Sequence, residues 1–311
     1  MRINHMMFED LPGKFESFMA EHADEIKTPE DEARLRTQFI REYNEMNEKR
    51  RMQGPTTAED YLELARQTTT KKKQREYLTE ALGLDPENLE AKQKLLMLDA
   101  KNPLEAAAQM EQLVAEGTEQ MRQAGYLKND VGEFWLVWET RPYMRLLGNY
   151  VALLLFCGRY RKAMDTAREM LRLCRNDNLG IRYTLMALYA ALEEEKPARR
   201  LFLKYECEES AEFLLPLSIL YFKLGNLDLA EQYLRQMQRE YSSTKRLFNA
   251  VRNGSIEELE EFAMNGGPGA CDDFTGLVSL YYEIGFLTLP NGLYFEWGGK
   301  LLSRRKQPAK G

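Results

Sequence analysis

The pattern that most restricts this chain is one that comes round twice. In LLGNYVALLLFCGRYRKAMDTAREMLRL, residues Leu147, Tyr150, Val151 and Leu154 share one helical face, Gly158 marks a tight turn before Tyr160, and Ala163 opens the second helix. FLLPLSILYFKLGNLDLAEQYLRQM repeats the scheme with Leu214, Leu217, Ser218, Tyr221, Gly225, Leu227, Ala230, Leu234 and Met237. Apolar residues three and four apart predict amphipathic helices. The glycine permits a sharp turn, and the small alanine lets the second helix approach the first closely. A helical hairpin of this kind cannot bury its own apolar face, so it must stack on neighbours.

Between these two, NLGIRYTLMALYAALEEEKPARRLFLKY keeps Ile181, Leu185 and Leu188 in period. It puts Leu192 at the expected turn glycine and Pro197 at the expected small residue, and the proline fits only in the first turn of a helix. Upstream, Ala58, Tyr61, Leu62 and Ala65 with Leu78 and Ala81 make one unit, and Leu95, Leu96, Ala108 and Ala115 make another. The stretch ALGLDPENLEAKQKLL, in which Ala81, Leu82, Leu84, Asp85, Pro86 and Asn88 end one helix and lead into the next, resembles the tetratricopeptide repeat (TPR). That resemblance implies an all-α, right-handed TPR-like helical-hairpin solenoid of about five units over residues 55–245, interrupted by an insertion at 116–143. An N-terminal helical segment (1–54), a C-terminal helical cap (246–303) and a disordered basic tail (304–311) flank it. In the N-terminal segment Leu35, Phe39, Tyr43 and Met46 form a helical stripe. In the cap, FNAVRNGSIEELEEFAMNGG reads as helix, turn and helix, similar to the helical part of an ankyrin repeat.

ETRPYMR, Glu139 to Arg145, is the densest cluster of functional side chains. Thr140 is expected to cap a helix through its hydroxyl, Pro142 fits the first turn, and Arg141 can pair with Glu139 or stack on Trp135 or Trp138. In a second reading Arg141, Arg145 and Arg182 make a cationic spot for a partner's carboxylate or phosphate. ETRPYMR followed by NDNLGIRY also resembles a pairing in some TPR proteins, distantly related to the suppressor of tumorigenicity seven family.

The TPR resemblance further implies a concave groove, lined by Arg145, Leu155, Phe156, Arg182, Met186, Tyr189, Ile219 and Phe222. Such a surface suits a protein or peptide partner with apolar anchors, unless the chain's own termini or the Trp135 segment fill it. Gly148, Ala152, Arg182 and Met186 stand where chaperone-tail clamps of the family carry Lys and Asn, so that partner is not expected. The alternative is a nucleic-acid-associated or peptide-sensing regulator using Arg161, Arg168, Arg172 and Arg175 on an outer face. The formal charge of −6 argues against general nucleic-acid binding. Lys71 to Lys73, in TTTKKKQR, lack the glycines of a phosphate cradle.

No nucleophile, phosphate-loop or zinc-protease motif is present, so no catalysis, metal or cofactor is expected. The two histidines, His5 and His22, and four scattered cysteines, Cys157, Cys174, Cys207 and Cys271, lack zinc spacing. With no apolar run of transmembrane length or signal-peptide pattern, the expectation is a cytoplasmic protein without membrane contact.

Overall fold

The computed structural model describes residues 14–15, 17–205, 209–259 and 273–303. Among the described residues every regular element is helical and there is no β-strand. His5, Cys207, Cys271, the part of FNAVRNGSIEELEEFAMNGG beyond Leu259 and the basic tail lie outside the described residues; of the second helix expected there, the described start is a 3-10 turn, Glu257–Leu259. The chain divides into two compact units, Met1–Ala100 and Lys101–Gly311.

In the first unit, α1 (Pro29–Gln53), α2 (Ala58–Gln67), α3 (Lys71–Leu84) and α4 (Leu89–Asp99) follow one another. Their starts are written in the sequence. Thr28 and Thr57 each accept the amide of an aspartate three residues on, Asp31 and Asp60, while that aspartate accepts the threonine's own amide. These reciprocal caps satisfy donors that the first turn leaves open. Asn88 caps α4 without the reciprocal bond, its side chain accepting from the Ala91 amide at 3.0 Å. Ala58, Leu62, Ala65, Leu78, Ala81 and Ala91 form the core where α2, α3 and α4 pack. The stripe on α1 is covered at Leu35 and Phe39, with Phe39 against the rings of Phe15 and Phe18, whereas Met46 is exposed.

The second unit holds α5 (Pro103–Gln123), a single turn α6 (Tyr126–Asn129), α7 (Arg141–Phe156), α8 (Tyr160–Leu173), α9 (Ile181–Ala191), α10 (Glu195–Tyr205), α11 (Ala211–Lys223) and α12 (Leu227–Glu240). It continues with α13 (Thr244–Arg252), α14 (Asp273–Glu283), α15 (Gly285–Thr288) and α16 (Gly292–Ser303). Neighbours in sequence pack as hairpins, α7 with α8 and α11 with α12, while α9 lies against both α8 and α11. The apolar faces read from the sequence are the buried ones: Leu147, Tyr150, Val151 and Leu154 on α7, Leu214, Leu217, Ser218 and Tyr221 on α11.

The turns repeat. Gly158 and Gly225 adopt left-handed conformations, φ +69° and +75°, directly after the helix cap. In the middle hairpin Leu192 is the cap, and the left-handed residue is Glu193, φ +61°. The amide following each left-handed residue reaches back into the helix, Arg159 to Leu154, Glu194 to Tyr189 and Asn226 to Tyr221, at 2.8 to 2.9 Å. This corrects the alignment of the middle repeat by one residue. The small residue is Ala198, fully buried like Ala163 and Ala230 and likewise five after the left-handed position. Pro197 falls harmlessly in the first turn of α10.

Candidate functional site

The residues of ETRPYMR serve the fold in a way the capping expectation missed. Thr140 is fully buried, but its hydroxyl does not cap α7. It donates to the carbonyls of Phe134 and Val137, because Thr140 itself sits in helical geometry, φ −91° and ψ −14°, where the side chain cannot reach the next turn's amides. Pro142 does stand at the helix start. The Arg141 guanidinium lies over the Trp138 ring at 3.6 Å and near Trp135 at 5.3 Å, and its Nε donates to the Trp135 carbonyl at 2.8 Å. Cation and ring faces attract through the ring quadrupole, so Arg141 clamps the aromatic segment onto the helix. The same segment is held from the other side. Gly132 N and Phe134 N donate to the Leu173 carbonyl, and Arg175 N donates to Gly132 O.

Arg182 is equally occupied. Its guanidinium pairs with Asp177 at 3.2 Å, donates to the Tyr183 hydroxyl at 2.9 Å and lies over the rings of Tyr183 and Tyr205. The Asp177 side chain is 1% exposed and accepts the Ile181 and Arg182 amides at 2.8 and 2.9 Å, closing the start of α9. Burial pushes its carboxyl above the ordinary value, against the pull of those amides and of Arg182. The sequence gives no local signal for Asp177, which lies four residues before Ile181 rather than at the Gly180 cap position and reaches the Ile181 and Arg182 amides only through the turn at 177–180. Arg141 and Arg182 thus brace the chain, each with its own neighbours, and Arg145 is half-buried on α7.

The expected groove floor is corrected by burial. Met186 and Ile219 are fully buried and Tyr189 is 6% exposed. The C-terminal helices pack on the same elements, α15 against α9 and α14 against α11. Phe222 is half-buried between Tyr294 at 5.6 Å and Trp297 at 5.2 Å. The chain's own C-terminal segment takes the area that a partner would need there. Leu155 is half-buried, and Phe156, at the end of α7, is 77% exposed.

On α8, which carries Arg161, Arg168 and Arg172 of the expected stripe while Arg175 lies past its end, these arginines are balanced locally. Arg172 holds Glu169 with two hydrogen bonds, Arg168 meets Asp165 and the Tyr189 hydroxyl, and Arg161 is 3.9 Å from Glu194. Near the N-terminal end of that helix, Lys162, Arg159 and the Tyr150 hydroxyl surround Glu111 of α5. The hydrogen bond from Lys162 holds the Glu111 carboxyl below its ordinary range. Among the described residues no three His, Cys, Asp or Glu side chains gather as a metal-binding group, and no helix is long and apolar enough to cross a membrane.

No protein-family model matches the chain, and the search of characterised proteins finds no significant relative.

Proposed function

We propose that this chain is a protein- or peptide-binding scaffold of the TPR type, without covalent chemistry, acting in the cytoplasm. In this reading the hairpins are TPR-like repeats and those of the second unit stack as a right-handed solenoid. The equivalent left-handed positions 158, 193 and 225, each followed five residues later by a buried alanine, support the repeat. The packing of α9 on both α8 and α11 supports the stacking.

One observation carries the functional half. Asn149, Ala152 and Phe156 form an exposed stripe on α7, at spacings of three and four residues, ending in a 77% exposed phenylalanine. In this reading Phe156 is the apolar anchor that a partner would cover, its ring becoming desolvated at the centre of the contact. The test is cross-linking in the native cell followed by mass spectrometry, with wild-type and Phe156→Asp chains as parallel baits. Proteins joined to the wild-type bait and lost from the variant are expected. Identical partner sets from both baits refute the assignment to this surface. Retention of RNA on a filter, falling steeply with salt, would favour the nucleic-acid alternative.

A further inference from the structure

We draw no further inference here: the strongest candidate, the exposed face of α10 on which Lys196, Arg199, Arg200 and Lys204 flank the 68% exposed Leu203, is bracketed along the chain by Glu193, Glu194, Glu195 and Glu209, and nothing in the structure shows what covers it.

Discussion

Glu193 occupies a backbone position that its two counterparts give to glycine. At φ +61° the Cβ of an L-residue crowds the following carbonyl, at a cost of about 1 kcal/mol. Its carboxylate recovers little, since the contact to Lys223 at 3.4 Å is half-exposed. Glu193→Gly should therefore raise stability by roughly 0.5–1 kcal/mol, read as a higher denaturant midpoint. Gly225→Ala, at an equivalent turn, should lower it by a similar amount. A Glu193→Gly protein less stable than wild type would mean the ion pair outweighs the strain. The sequence alone showed a turn here but placed it one residue early, at Leu192. Both residues lack the glycine that marks the other turns, and only the backbone torsions distinguish them.

Among elements, the helices were the most legible part, because their signals are local. Thr28, Thr57 and Asn88 cap where their sequence context puts them, and the three- and four-residue spacing of apolar residues picks out the buried faces. Contacts between elements were not. Glu111 on α5 receives Lys162 from α8, Arg159 from the turn before it and Tyr150 from α7, a junction invisible over separations of 39 residues and more. Because the folded pKa of Glu111 is depressed below its ordinary 4.5, the carboxylate stabilises the fold above that value and loses this contribution as pH falls through the lowered pKa. Glu111→Gln should cost about 0.5 kcal/mol at pH 7, a small figure because the pair is largely exposed. In urea denaturation that difference should close as the pH is brought below 4; a difference that persists in acid would assign the effect to packing.

For the whole molecule, the break between Ala100 and Lys101 follows packing rather than repeat count. The sequence reading ran one series of hairpins across this point, whereas α4 closes the core of α2 and α3, and α5 packs on α7. A fragment of residues 101–311 should fold by itself, giving helical circular dichroism and one cooperative thermal transition. A fragment without a cooperative transition would show that the first unit is needed to complete its core.

What the sequence determined by itself is the helical class, the approximate hairpin turns and the faces turned inward, all governed by interactions within four residues or so. The tertiary structure decided which inward faces remain available. Met186 and Ile219 have the composition of a groove floor, but both are fully buried, and α14 and α15 from far down the chain pack on the helices that carry them. Phe156, Leu289 and Leu293 are no less apolar, yet among the described residues they stay exposed to water. Burial is a property of what arrives from a distance, and a local pattern cannot record it.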